Sequence, residues 1–149
     1  MTAEVLDVKG GIVRVAPQRT KVAIIGAGRT RTLAPWDDPT WECWGINEIY
    51  QERATRWFEL HPRSVQSDKD MAFLRSCPTP CYVLDDEEWG GVIPKPVRFP
   101  LDRMLAQGFR RYATCTFAMQ IMLALMEGFT EIGIFGVDLA LGTLRERLV

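Results

Sequence analysis

Apolar positions fall in short blocks separated by polar, glycine-rich and proline-rich stretches. Val22-Ala23-Ile24-Ile25 is apolar without a break. The run is too short to span a membrane and too β-branched to open a helix, so it predicts a strand over 22–26 buried on both faces. Comparable blocks predict strands near Trp41–Ile46, over 56–62 with Pro62 closing it, over 81–84 and over 131–138. The proline- and aspartate-rich stretch 35–39 leaves room for only a short helix between the first two. Helical signals alternate with the later strands. Residues 67–75 suit a helix, with Asp68 and Asp70 at the end where the helix dipole favours carboxylates. Over 113–127, Phe117, Ala118, Ile121, Met122, Leu125 and Met126 recur at helical spacing, and Gly128 stands where a C-terminal cap glycine belongs. Met119, Leu123 and Ala124 make this helix apolar nearly all round, so it is expected to pack between the sheet and another element.

Two segments carry weaker patterns. Residues 1–20 alternate on either side of Gly10-Gly11, which predicts a hairpin or, failing that, a loose tail ending near Pro17. Residues 85–100 hold acidic groups, Gly90-Gly91, Pro94, Pro96 and Pro100, and read as a long surface loop. Strands alternating with helical segments imply an α/β fold of three layers with a mainly parallel sheet and right-handed crossovers. The domain reading is a hairpin or tail over 1–20 and one α/β domain over 21–149, short at its C-terminal end.

Composition narrows the function. With 149 residues, 47% of them hydrophobic, the chain builds one core. Its 18 basic and 19 acidic residues are interspersed, so no basic stripe predicts nucleic-acid binding. Small molecules, a nucleotide among them, or proteins are the expected partners, and a homo-oligomer is compatible with the pattern. Glu4, Asp7 and Lys9 occupy the place of a signal-peptide core, and no transmembrane run is present. A cytoplasmic location is the expectation. Four cysteines and one histidine cannot build two zinc sites. Cys77 and Cys81 form the one close pair; their spacing suits half a metal site or, more simply, a proline-stiffened loop before a strand.

The candidate chemistry lies at strand ends. In a parallel sheet the carboxyl ends share one edge, where open α/β sheets bind ligands. Gly26 and Gly28 permit close backbone approach, and their turn amides are expected to face outward toward a phosphate, with Thr30 capping the next helix or offering its hydroxyl. The alternative is a turn that needs glycine for sterics alone. Arg31 stands where a dinucleotide fingerprint has its third glycine, and Asn47-Glu48 stand where its ribose carboxylate belongs. The expectation is therefore a nucleotide rather than NAD. Asn47 can read a base edge or sugar hydroxyl, or close its own turn. Thr114 and Thr116 can bind an anion at a helix start or simply cap it. Asp138 suits ribose, a divalent metal or a cap. Arg29, Arg31 and Arg63 are candidate phosphate contacts or simply solvated surface arginines. His61 is the lone imidazole, and is either the obvious group for proton transfer or a structural or solvated histidine. Glu59, two residues earlier, falls on the same side of the strand, placed to orient it.

The order of motifs, Ile-Ile-Gly-Ala-Gly-Arg-Thr from Ile24, Gly45-Ile46-Asn47, and Gly-Phe-Thr-Glu-Ile-Gly-Ile-Phe-Gly-Val-Asp from Gly128, resembles a Rossmann-like group over about residues 21–140. The group includes the bacterial CMP-sialic-acid sialyltransferases, the MptE-like pterin diphosphokinases, and phage and prophage proteins. The resemblance implies nucleotide contacts from a Gly-x-Gly turn, a later asparagine and a Ser/Thr-rich helix start before a Gly-x-Asp strand. Here those are Gly26, Gly28, Thr30, Asn47, Thr114, Thr116 and Asp138. Arg29 stands where the turn has proline, and the sialyltransferases' catalytic histidine lies beyond Val149, so His61 is not its counterpart. The closest likeness is to the short phage proteins. Three functions follow as expectations: a nucleotide- or nucleotide-sugar-dependent transferase with His61 and Asp138 as catalytic residues; a module that sequesters or senses a nucleotide without turnover; and an interaction domain that assembles through exposed Trp36, Trp41 or Trp89.

Overall fold

The computed structural model describes residues 3–6, 12–15, 19–46, 49–50, 53–109 and 115–137. The expected N-terminal hairpin is there: β1 (Ala3–Leu6) pairs antiparallel with β2 (Ile12–Val15), Ala3 opposite Val15 and Leu6 opposite Ile12. Its Gly-Gly turn lies outside the described residues.

The main sheet has six strands, β3 (Lys21–Ile25), β4 (Trp41–Ile46), β5 (Arg56–Phe58), β6 (Cys81–Val83), β7 (Pro96–Arg98) and β8 (Glu131–Phe135). All are parallel, in the order β7-β6-β5-β4-β3-β8. Each strand from β3 to β7 adds to the same side, and β8 then returns to the other side of β3. This is a Rossmann-like α/β sheet whose strand order reverses between β3 and β8.

The period of two along the strands divides the core into layers. Val22, Ile24, Trp44, Ile46 and Phe58 meet α3 (Leu101–Ala106) and α4 (Thr116–Met126) through Met104, Leu123 and Ala124. Trp57, Cys81 and Val83 face the opposite way, toward Leu74 of α1 (Asp68–Arg75) and Trp89 of α2 (Asp86–Trp89). Ala23, Ile25 and Cys43 complete that second face. Gly45 belongs to it as well. A Cβ there would stand 2.5 Å from the Trp57 ring, so glycine makes room for the indole.

Several expected elements change in the structure. The stretch 85–100 is not one loop, because it contains α2 and β7. Pro96 is tolerated since β7 is an edge strand. Strand β5 ends at Phe58, four residues before Pro62, and α3 is an additional helix. Helix α1 begins as expected, with Ser67 and Asp70 in a capping box whose two bonds measure 3.2 and 3.1 Å. Helix α4 starts at Thr116, and Gly128 follows it with a φ of +81°. It packs on the sheet and beside α3, but its outer side is open, with Leu125 55% exposed. Trp89 is buried rather than exposed, while Trp36 and Trp41 are half-buried.

At the amino edge, Arg56 clamps α4 to the sheet. Its guanidinium lies 2.7 Å from Glu42 and 2.8 Å from Glu127, which caps the C-terminal end of α4, and it sits over the Trp44 ring. Burial disfavours its charge, but the two carboxylates outweigh this and raise its pKa. Anchoring one end of an 11-residue helix directs its N-terminus to the carboxyl edge, about 16 Å away.

Candidate functional site at the carboxyl edge

The reversal of strand order places the ends of β3 and β8 side by side. The Gly26 amide donates to the Phe135 carbonyl at 2.8 Å, and the Gly28 amide donates to the Gly136 carbonyl at 2.8 Å. In return the Gly136 amide donates to Thr30 Oγ1 at 2.7 Å. A Cβ on Gly26 would lie 2.5 Å from the Gly136 carbonyl oxygen and 2.8 Å from the Phe117 ring. One on Gly136 would meet the Gly26 carbonyl oxygen, and Gly136 also has a φ of +63°. Glycine is required here so that two backbones can touch.

The outward-facing amides expected at Gly26 and Gly28 are therefore corrected: both donate to the end of β8. Thr30 accepts a hydrogen bond from Gly136 instead of capping a helix. The chain after the turn forms a five-residue 3-10 segment, Arg29–Leu33, with no side-chain cap. Arg29, Arg31 and Arg63 are exposed. Arg31 turns back to donate to the Ala27 carbonyl at 2.7 Å.

A cleft of about 260 Å³ opens beside this seam, lined by Ile46 at the end of β4, Leu60 and His61 beyond β5, and Cys115, Thr116, Phe117 and Met119 in the first turn of α4. Phe117 belongs to both features, since its ring also covers Gly26. Sequence logic places His61 here. The Glu59 amide continues the strand ladder to the Tyr82 carbonyl at 2.9 Å, and Pro62 then ends the extended run. Glu59 is buried, whereas the His61 side chain is 53% exposed. One carboxylate oxygen of Glu59 accepts from the His61 amide at 3.2 Å and lies 2.8 Å from Nδ1. An ionised carboxylate only accepts, so the proton of this pair sits on Nδ1 and Nε2 is left for a ligand.

Across the cleft, Cys115 occupies the N-cap position of α4 without making a side-chain cap bond. The first-turn amides of a helix have no partner inside it. Thr116 adds a hydroxyl at that point. One turn further on, Gln120 is fully buried, and neither Nε2 nor Oε1 has a hydrogen-bond partner. The expected residues Asn47, Thr114 and Asp138 lie outside the described residues. The structure thus brings His61 and Thr116 into one cleft and sets Gly26, Gly28 and Thr30 in the neighbouring seam. Sequence reasoning passed over Cys115, Phe117 and Gln120. The signal for Gln120 was present, as the single amide in an apolar 11-residue helix.

The Cys77–Cys81 pair lies at the other edge, before and within the start of β6. Both thiols are buried. The hydrogen bond from Cys81 holds Cys77 down at about 6, while that bond and burial push Cys81 up. Among the described residues no group of three or more His, Cys, Asp or Glu is placed to hold a metal ion, and no helix is long and apolar enough to cross a membrane. No protein-family model, curated protein or solved structure matches the chain.

Proposed function

We propose that this protein binds a nucleotide or nucleotide sugar in the carboxyl-edge cleft and transfers a group from it to an acceptor hydroxyl. One juxtaposition carries the reading: His61, held by the buried Glu59 carboxylate, shares a cleft with the N-terminus of α4. Free amides at a helix start suit a phosphate, and the Thr116 hydroxyl adds a donor. Ile46, Phe117 and Met119 supply apolar surface for a sugar or base. His61 Nε2 takes the acceptor's proton as the acceptor oxygen bonds to the transferred group. The bond to the nucleotide phosphate breaks, and the phosphate leaves with the electron pair. Glu59 stabilises the imidazolium formed in this step. The resemblance to nucleotide-using transferases points the same way.

Calorimetric titration with nucleoside mono- and diphosphates and nucleotide sugars, with and without magnesium, tests the proposal. Micromolar binding is expected. Thr116→Val should weaken it, and His61→Ala should keep affinity while reducing turnover about 10²–10⁴-fold. A wild-type protein that binds none of these at millimolar concentration refutes the reading. Binding without turnover, unaffected by His61→Ala, would reduce it to sequestration.

A further inference from the structure

We infer that Gln120 selects the base of the bound nucleotide, an assignment that rests on the function proposed above. Gln120 is the one described side chain whose buried polar atoms have no partner. An unpaired carboxamide in a core is destabilising, and an aliphatic residue of similar size would avoid the loss. Its place in α4 gives it a use. Helical side chains lean toward the preceding turn, so the carboxamide is directed at the turn of Thr116 and Phe117, both of which line the cleft.

The chemistry of the group narrows its ligand. A carboxamide has an acceptor and two donors side by side. Phosphate offers acceptors only and would leave Oε1 unpaired. The pairing edge of a nucleobase carries a donor and an acceptor together, and its flat faces suit Ile46, Phe117 and Met119. One helical turn, about 5.4 Å, separates Gln120 from the amides assigned to phosphate, close to the span of a ribose. Gln120 itself is not part of the cleft wall, so the Phe117 ring, half-buried and lying against Gly26, has to turn aside for the base to reach the carboxamide.

The experiment compares wild type with Gln120→Leu and Gln120→Met, using CDP, UDP, ADP, GDP and inorganic pyrophosphate as probes and thermal unfolding without ligand as the control. Both variants should melt a few degrees higher than wild type. Their affinity for the preferred nucleoside diphosphate should fall about tenfold or more, with preference among bases flattened and pyrophosphate binding unchanged. Wild-type affinity and base preference in the variants would overturn the assignment and leave the proposed function intact. Variants that melt lower than wild type would also overturn it, because the carboxamide would then be satisfied within the fold. Silence of the wild-type protein toward every probe would refute both readings.

Discussion

Replacing Gly26 by alanine tests whether the glycine turn serves backbone contact between β3 and β8. The new Cβ would stand 2.5 Å from the Gly136 carbonyl oxygen, inside the roughly 3.0 Å limit of real contacts. The obstacle is backbone, so rotating a side chain cannot relieve it. The strand ends must separate by about half an ångström, which stretches the two 2.8 Å bonds from the Gly26 and Gly28 amides. Overpacking costs about 1–3 kcal/mol, and weakening two hydrogen bonds adds about 0.5–1 kcal/mol each. A loss of ~2–5 kcal/mol results, a large share of a typical total of about 5–15 kcal/mol. In urea, at about 2 kcal/mol per molar, the midpoint should fall by ~1–2.5 M. Gly90→Ala is the matched control. Gly90 has a φ of −56°, and its nearest would-be Cβ neighbour is at 3.4 Å, so its midpoint should hardly move. Equilibrium unfolding that finds the two variants within about 1 kcal/mol of each other would refute the steric account.

Other consequences are as specific. Thr30→Val removes the acceptor of the buried Gly136 amide and should cost about 1–2 kcal/mol by chemical denaturation, with Thr30→Ser recovering most of it. Leu123→Ala, at a fully buried position of α4 against the sheet, should cost about 2–5 kcal/mol and lower the thermal midpoint by ~5–15 °C. The thiols predict a pH profile. Cys77 titrates at about 6 when folded and near 9 when unfolded, so between those values the unfolded chain binds more protons and stability rises with pH. Above 9 the sign reverses, because Cys43, pushed by burial to about 11, and Cys81, also raised, hold their protons in the folded state. Urea midpoints across pH 5–10 should show the rise in wild type and lose it in Cys77→Ser; an unchanged profile in that variant would contradict the assignment.

One part of the candidate site was legible within a single strand. The Glu59-x-His61 spacing implied a carboxylate beside the imidazole, and the structure has that contact at 2.8 Å. The turn at Gly26 was located correctly but not its partner. Thr30 lies 106 positions from Gly136, and no local pattern tells whether glycine makes room for a ligand or for another strand. Strand β7 was hidden for a related reason: its three residues include Pro96, and only the edge of β6 makes them a strand. Helix α3, at six residues, is too short for a period to emerge.

The sequence alone determined where β3 to β6, β8 and the two longer helices form, since apolar runs, the capping box at Ser67 and the glycine after α4 act within a few residues of themselves. It also determined that the sheet is parallel, because helices intervene between strands. Tertiary structure decided the strand order, which face each buried residue took, and that the amides of Gly26 and Gly28 join β8. It alone brought His61 to the first turn of α4 and left Gln120 buried without a partner. These outcomes depend on surfaces meeting across long separations in the chain, where the free energy belongs to the pair and is written in neither segment by itself.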